Sequence, residues 1–406
     1  MPVLVTFLGG AALLVYGMRL IRDGLQRLAG GKLRGLLGSW TDRPAKGLLA
    51  GAVVTALMQS STATSVMLVG FTSAGLMTLS QALAVILGAD VGTTLTVQLL
   101  AFRILDYGLV FVAVGVALLL WPTRRSLRDL GTPILGFGLL FFSIKLMGDG
   151  MSPVKGSPIL EDLLTGLTTQ PLLGIAAAAV FAFLVHSSAA TIAIALSLAL
   201  EGILNLQAAL PIIIGANLGT CGTALLSSIG TGAEARRVAW SHLLFKGVGA
   251  AVLLPLLPQF AWMVEAAGGD LPRQIANAHT LFNVGIALAF LPFTGPVARV
   301  VTRLVPTETQ EVTPGQPRYL DTRIIDTPSR ALGQATREAL RVADVVSDML
   351  RGAGQVLVHP DPDMIERVQR MDNQVDNLDR EIKRYLARLA QEELTQEQSR
   401  RELAVM

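Results

Sequence analysis

Two stretches of this sequence repeat one pattern, and together they determine the fold. Residues 47–101 read GLLAGAVVTALMQSSTATSVMLVGFTSAGLMTLSQALAVILGADVGTTLTVQLLA, and residues 174–228 read GIAAAAVFAFLVHSSAATIAIALSLALEGILNLQAALPIIIGANLGTCGTALLSS. They align without a gap at an offset of 127 residues, with 20 of 55 positions identical. The matched polar residues carry most weight, because shared apolar composition does not produce them. The chain therefore consists of two related halves.

The composition indicates a membrane protein. Of 406 residues, 51% are hydrophobic and 16% are charged, against about 25% charged in soluble domains. Charges are sparse over about the first 300 residues and dense over about the last 80, which predicts a membrane domain followed by a soluble one. The net charge of +3 is too small to favour a nucleic-acid partner, and a single cysteine excludes disulfide scaffolds. No basic region precedes the first apolar stretch, which therefore predicts a membrane helix and not a signal peptide.

Each half is predicted to hold three apolar crossings and one interrupted hairpin, since a crossing helix needs about 20 apolar residues. For repeat one, about 1–128, the crossings are about 3–23, 79–102 and 107–121, with a hairpin over about 45–73. For repeat two, about 129–257, they are about 131–150, 206–229 and 240–257, with a hairpin over about 173–200. A further helix is predicted over about 274–304. The hairpin arms are too short to cross, so each hairpin is predicted to be re-entrant, with its tip near the midplane.

An odd number of crossings per half predicts that the second half enters the membrane inverted. Basic residues indicate the orientation, because they concentrate on the cytoplasmic side. With the N-terminus outside, the predicted inside segments hold Arg19, Arg22, Arg27, Lys32, Arg34, Arg43, Lys46, Arg124, Arg125, Arg128, Arg236 and Arg237. The predicted outside segments hold Arg103, Lys155 and Arg273. The chain is thus expected to be a multi-pass protein of the inner (plasma) membrane, in contact with the lipid bilayer, with a cytoplasmic C-terminal segment.

The hairpin tips are the first candidate site. They read QSST at residues 59–62 and HSSA at residues 186–189. Non-helical backbone within a membrane is tolerated only where it is buried in protein or lines a wet cavity. A tip also presents a helix N-terminus, which favours anions, and hydroxyls that donate to an oxyanion or ligate sodium. This chemistry predicts a small oxyanion bound beside a hard cation. His186 is either a ligand or proton site, or a hydrogen-bonded substitute for glutamine.

The second candidate element is GADVGTT at residues 88–94, matched by GANLGTC at residues 215–221. Two glycines around an Asx residue in mid-span predict a helix break, where free carbonyls and Asp90 or Asn217 coordinate sodium. An intramembrane carboxylate is a functional candidate by default. The predicted sodium ligands are Ser60, Thr64, Asp90, Thr93, Thr94, Ser188, Thr191, Asn217 and Thr220, with Asn277 and Asn283 as additional candidates.

These polar residues also have structural interpretations. Ser and Thr in membrane helices commonly bond to carbonyls of their own helix or join neighbouring helices. His242 and His279 are predicted at helix starts near a membrane face, with structural hydrogen bonds. Cys221 is expected to be a packed neutral thiol.

The doubled motif resembles the type II sodium–phosphate cotransporter family in its bacterial form. That family has inverted repeats, each with a QSS-type hairpin followed by a G-A-[ND]-x-G-T segment, and its last helix resembles HTLFN at residues 279–283. The resemblance covers about residues 1–305. It implies uptake of inorganic phosphate driven by Na+ as coupling ion, with both bound at the hairpin tips. The phosphate-binding residues that follow are Gln59, Ser60, Ser61, Thr62, His186, Ser187 and Ser188. His186 and Ala189 depart from the family pattern and leave repeat two with fewer ligating oxygens.

The C-terminal segment is predicted to be soluble and helical. A proline-rich linker spans about 306–328, and amphipathic helices follow over 329–406, with a turn at HPDP (residues 359–362) and a third helix from about Thr395. This segment resembles half of a PhoU-type domain. Asp372 and Asp376 resemble that domain's metal-binding acidic pair, although a solvated charged face is the alternative. Because only half of the domain is matched, the segment is either a shortened domain or one that pairs with a second copy in a homodimer.

The fold class is therefore an all-α integral membrane protein with two inverted repeats, each with a re-entrant hairpin and a broken helix, followed by a cytoplasmic three-helix segment. The expected function is sodium-coupled phosphate symport by alternating access. Three alternatives remain open: another oxyanion or coupling to protons through His186, a membrane enzyme, and a phosphate sensor acting through the tail. The sequence of the membrane part shows no paired carboxylates and no Ser-His-Asp set, so the enzyme alternative has no candidate catalytic residues there.

Overall fold

The computed structural model describes residues 2–39, 41–73, 75–102, 107–121, 125–306, 315–325, 327–359, 361–392, 394 and 396–405. Arg103, Arg124 and Thr395, and residues 307–314 of the predicted linker, lie outside them. All regular elements that the structure describes are helical. Contacts divide the chain into two units, Met1–Pro306 and Thr307–Met406.

The first unit is a bundle of apolar helices. Its α-helices are α1 (Pro2–Ser39), α2 (Pro44–Met58), α3 (Ser61–Ser73), α4 (Leu79–Leu100), α5 (Gly108–Leu120), α6 (Arg125–Met151), α7 (Pro158–Thr169), α8 (Pro171–Val185), α9 (Ser188–Leu200), α10 (Leu206–Ser228), α11 (Ala233–Leu253), α12 (Leu257–Ala266), α13 (Leu271–Phe290) and α14 (Thr294–Leu304). Short 3-10 turns, Leu254–Leu256 and Leu291–Phe293, join α11 to α12 and α13 to α14. Prolines in both turns explain these interruptions.

Six helical segments in the described part of the chain are long and apolar enough to cross a membrane. They are Val3–Leu28, Leu79–Leu100, Leu127–Val154, Leu206–Ser228, Ala233–Ala266 and Leu271–Leu304. The chain is therefore an all-helical integral membrane protein, as the composition predicts. Helix α5 has 13 residues, fewer than the predicted crossing over 107–121.

The two predicted hairpins are present as pairs of short helices. Helices α2 and α8 have 15 residues each, and α3 and α9 have 13 each. In repeat two, α8 follows α7 at an angle of 105°, an element that the sequence interpretation missed. Each arm is shorter than the roughly 20 residues needed to cross. The depth of the tips in the bilayer stays a prediction.

The predicted helix breaks at residues 88–94 and 215–221 are wrong. Helices α4 and α10 run without interruption through both segments. Their glycines serve close packing instead: a Cβ at Gly88 would lie 1.9 Å from the Leu48 carbonyl oxygen of α2, and one at Gly219 2.1 Å from the Ala179 carbonyl oxygen of α8. The matched glycines thus hold α4 against α2 and α10 against α8. Small residues that let backbones approach are the usual device of membrane helix packing.

The second unit contains α15 (Pro328–Val358), α16 (Pro362–Leu389) and α17 (Gln396–Val405). Helices α15 and α16 pack together along an apolar core that includes Leu332, Leu386 and Leu389. Helix α15 ends at Val358 and α16 begins at Pro362, on either side of the predicted turn, of which Pro360 lies outside the described residues. Buried Glu338 accepts hydrogen bonds from the backbone N–H groups of Arg318 and Tyr319, at 2.8 and 2.6 Å, and pairs with Arg341 at 2.6 Å.

The predicted acidic pair of the second unit lies on its surface. Asp372 and Asp376 are both exposed on α16. Among the residues that the structure describes, no group of three or more His, Cys, Asp or Glu side chains is placed to hold a metal ion. A metal site at this pair stays a prediction.

Candidate functional site

The two hairpin tips have the same local structure. Gln59 and His186, the residues at the turns, have φ angles of 52° and 56°, a left-handed conformation that is uncommon for residues other than glycine. The serines that follow, Ser60 and Ser187, each accept a hydrogen bond from the backbone N–H three residues later, at 3.1 Å in both cases. Each is therefore the N-cap of the second arm. The sequence repeat is thus also a repeat of backbone geometry.

The second serine of each tip is available to a ligand. Ser61 and Ser188 are the first residues of α3 and α9 and are 8% and 4% exposed. Neither hydroxyl has a hydrogen-bond partner among the described residues. Each lies in the first turn of a helix, where backbone N–H groups lack acceptors within the helix. The combination offers hydrogen-bond donors to an anion.

The tips lie against each other. The Thr62 hydroxyl donates to the His186 carbonyl oxygen at 3.4 Å, across 124 residues of sequence. The structure therefore brings the two tips into contact at Thr62 and His186. A single site shared by residues 59–62 and 186–188 stays a prediction.

Gln59 and His186 differ in what their side chains do. The Gln59 side chain accepts a hydrogen bond from Thr96 of α4 at 2.5 Å and donates to the Ala56 carbonyl oxygen at 2.5 Å. The amide therefore attaches the first tip to α4. The His186 ring is exposed and contacts Phe183 edge-on, with 6.1 Å between the ring centroids. The tips are thus alike in backbone and unequal in anchoring.

Several predicted sodium ligands donate to carbonyls of their own helices. Thr64 and Thr191 donate to the carbonyl oxygens of Ser60 and Ser187, at 3.2 and 3.0 Å. The same type of bond is made by Thr93, Thr94 and Thr220. This is the structural alternative for these hydroxyls, although each oxygen keeps the capacity to accept.

Asp90 forms a buried charge cluster with two residues of α11. Its Oδ1 lies 3.1 Å from His242 Nε2, and its Oδ2 lies 2.9 Å from Lys246 Nζ. All three side chains are 6% exposed or less. The intramembrane carboxylate is therefore paired within the protein.

Lys246 has two further oxygen partners. Its ammonium donates to Asn217 Oδ1 at 3.1 Å and to Asn283 Oδ1. Each amide nitrogen donates to the carbonyl oxygen four residues earlier, that of Ile213 or His279, at 2.8 Å. These bonds turn both amide oxygens toward the ammonium. The cluster thus joins α4, α10, α11 and α13, and Asp90 and Asn217, both predicted sodium ligands, share one lysine.

The predicted positions of two histidines are wrong, and one residue of the cluster was missed. His242 and His279 lie inside α11 and α13, each beyond the first two turns. Both His279 ring nitrogens are buried without a partner in the described structure. Lys246 was not singled out, although a lysine within an apolar span was itself a sufficient signal.

Asn277 belongs to a separate polar network. Its Oδ1 accepts from Gln98 Nε2 at 3.2 Å, and Gln98 Oε1 accepts from Arg273 at 2.8 Å. Arg273 also stacks on Phe102, 4.2 Å from the ring centroid. Of the two additional asparagine candidates, Asn283 thus lies in the charge cluster and Asn277 does not.

Comparison with known proteins identifies two family models. The Na+/Pi-cotransporter model matches residues 13–149 and 141–259, and the PhoU domain model matches residues 339–406. No solved structure matches the chain.

Three relatives illustrate what the chain is similar to. In Escherichia coli K12, "Putative inorganic phosphate export protein YjbB" is 33% identical over 99% of this chain and 74% of its own length. "Uncharacterized protein YqeW" of Bacillus subtilis is 33% identical over 75% of this chain and 99% of its own length. The human "Sodium-dependent phosphate transport protein 2B" is 31% identical over 32% of this chain and 20% of its own length.

Proposed function

Because the chain belongs to the Na+/Pi-cotransporter family, we propose that it is a secondary transporter that moves inorganic phosphate across the inner membrane together with sodium. Membership confirms the resemblance predicted from the doubled motif, and the PhoU match confirms the one predicted for the tail. The observation that carries the proposal is the contact between two equivalent tips, each with a buried serine residue whose hydroxyl has no hydrogen-bond partner among the described residues.

Phosphate binds between the tips. Ser61 and Ser188 donate their hydroxyl hydrogens to phosphate oxygens, and the N-termini of α3 and α9 add backbone N–H groups and favourable helix dipoles. Ser60 and Ser187 accept from the backbone through their oxygens, so their hydroxyl hydrogens are free to donate as well. Gln59 fixes the position of the first tip through Thr96.

Transport follows from the inversion of the two halves. The hairpins enter the membrane from opposite faces, with the N-terminus outside and the tail in the cytoplasm. Movement of one half against the other then exposes the shared site to each side in turn. The matched caps and matched glycine contacts support this symmetry.

Sodium accompanies phosphate because a dianion is expensive to bring into the bilayer interior. Threonine and serine oxygens at the tips, including those of Thr64 and Thr191, are suitable ligands for a hard cation. The name of the human relative supports sodium coupling. We propose inward transport driven by sodium.

Outward transport is the second candidate, favoured by the name of the Escherichia coli relative. A secondary transporter is reversible, so both candidates use the same site. The direction depends on how much energy the coupled ions contribute in each cycle.

Radiolabelled phosphate flux in proteoliposomes tests this function. Purified protein is reconstituted, and uptake is compared under an inward sodium gradient, an outward one, and a choline gradient. The proposal expects uptake that is fastest with inward sodium. Equal flux under all three gradients contradicts sodium coupling, and flux no greater than that of protein-free liposomes contradicts phosphate transport.

A further inference from the structure

The Lys246 ammonium occupies a position built like a cation site. Its three partners are oxygens, one from the Asp90 carboxylate and one each from the Asn217 and Asn283 amides. All four residues are 5% exposed or less. Carboxylate and amide oxygens are the ligands that hard cations such as sodium also use.

The amide oxygens of this site are held in position to bind a cation. Both amides are held with their oxygens inward by hydrogen bonds from their nitrogens to the backbone. A buried carboxylate without a positive partner is costly. Lys246 supplies a positive charge 2.9 Å from Asp90 Oδ2 that cannot leave the protein, whereas His242, the other partner of this carboxylate, is charged only when protonated.

We propose that the Lys246 ammonium is a built-in cation that takes the place of one sodium ion at the Asp90–Asn217–Asn283 site. The inference rests on the proposed function, because it concerns how many sodium ions accompany phosphate. With the ammonium in this site, the chain binds one sodium ion fewer than it would without it. Asp90 and Asn217 remain cation ligands, as the sequence predicts, but their cation is part of the chain.

The consequence concerns the driving force. A membrane potential of 100 mV acts on each elementary charge that crosses with the substrate. Each such charge raises the phosphate concentration ratio that the transporter can maintain across the membrane by a factor of about 50. A fixed ammonium that replaces one sodium ion removes that contribution. Phosphate flux through this chain is then more easily reversed, in line with outward transport as the second candidate direction.

Binding of radiolabelled sodium to the purified full-length protein in nanodiscs tests the proposal. Lys246→Met removes the charge while keeping a similar side-chain length. The variant is expected to bind one more sodium ion per chain than the wild type, and its thermal midpoint is expected to rise in sodium relative to choline. Lys246→Met/Asp90→Asn, which removes both charges, is expected to return to the wild-type sodium count.

His242→Gln is the matched control, because it changes the other partner of Asp90 and leaves the ammonium in place. It is expected to bind the wild-type number of sodium ions. Equal sodium binding by the wild type and Lys246→Met overturns the proposal. If Lys246→Met does not fold, Lys246→Gln is measured in the same way, and equal binding again overturns it.

These outcomes are independent of transport. Absence of phosphate flux in wild-type proteoliposomes would refute the proposed function and leave the sodium count unaffected. An unchanged sodium count with normal phosphate flux would refute only the role of Lys246.

Discussion

Asp90 is the residue on which the charge cluster depends. It lies 2.9 Å from Lys246 Nζ and 3.1 Å from His242 Nε2, and it is the carboxylate of that cluster. Asp90→Asn would leave the ammonium buried without a negative partner, which costs about 3–5 kcal/mol when one side of a buried pair is removed. We expect a lower free energy of unfolding, measured as a lower thermal midpoint in detergent.

The partner substitution provides the control for this prediction. Lys246→Met/Asp90→Asn removes both charges and should recover most of the lost stability. If Asp90→Asn is as stable as the wild type, the ion pair has no structural role.

The sequence identified most of the polar residues in the cluster but not the contacts between them. Asp90, Asn217 and Asn283 were recognised as polar groups within apolar spans, but the residue that joins them was not. Lys246 lies on a different helix from all three, and only the tertiary arrangement brings its ammonium to their oxygens. Ser61 and Ser188 were singled out because the repeat is visible in the sequence itself, and their binding role stays a prediction.

Helix packing at the matched glycines determines how closely the hairpins approach α4 and α10. Gly88→Ala would place a Cβ 1.9 Å from the Leu48 carbonyl oxygen, a contact that only movement of backbone relieves. We expect α2 to be displaced from α4, with loss of about 1–3 kcal/mol of stability or more, as for overpacking in a core. A thermal unfolding midpoint and the yield of monodisperse protein measure this effect.

Gly70→Ala, in the neighbouring helix α3, is the matched control. Beyond the backbone of its own helix, no atom lies within 4 Å of the position that a Cβ would take at Gly70 in α3. Alanine in a helix interior is favoured over glycine by about 1 kcal/mol, so this variant should be as stable as the wild type or more so. Similar destabilisation by both substitutions would contradict the close-packing role of Gly88.

A second prediction at the scale of elements concerns the tail. Glu338 is fully buried and holds the backbone of residues 318 and 319 against α15. Glu338→Ala would leave Arg341 without its carboxylate partner and two backbone N–H groups without acceptors. Each buried donor left without an acceptor costs about 1–3 kcal/mol of stability. We expect faster cleavage of the tail by trypsin in the full-length protein. Glu366→Ala, which removes an exposed ion pair with Arg370, should leave the cleavage rate unchanged.

The sequence predicted the elements well where periodicity and length define them. Hairpin arms, long crossings and the tail helices follow from apolar runs and turn residues. The helix breaks were predicted wrongly because glycine pairs have two uses, and the sequence alone does not distinguish unwinding from close approach. The decision depends on α2 and α8, whose backbones fill the space that the glycines leave.

For the whole molecule, the central claim is that the two halves build one phosphate site between their tips. The contact between Thr62 and His186 joins the tips, and the free hydroxyls of Ser61 and Ser188 belong to different halves. Loss of a hydrogen bond to a charged ligand costs about 1.5–3 kcal/mol. Either Ser61→Ala or Ser188→Ala should therefore weaken phosphate binding by about 10- to 100-fold.

The measurement that tests this claim most directly is equilibrium binding of radiolabelled phosphate to the purified protein and its serine variants. Ser197→Ala is the control, because this serine lies on α9 away from the tip and its hydroxyl donates to the Ile144 carbonyl oxygen. We expect one phosphate to bind per chain, with an affinity that Ser61→Ala and Ser188→Ala lower and that Ser197→Ala leaves unchanged. Two phosphates per chain, or unchanged affinity in either tip variant, would contradict the claim.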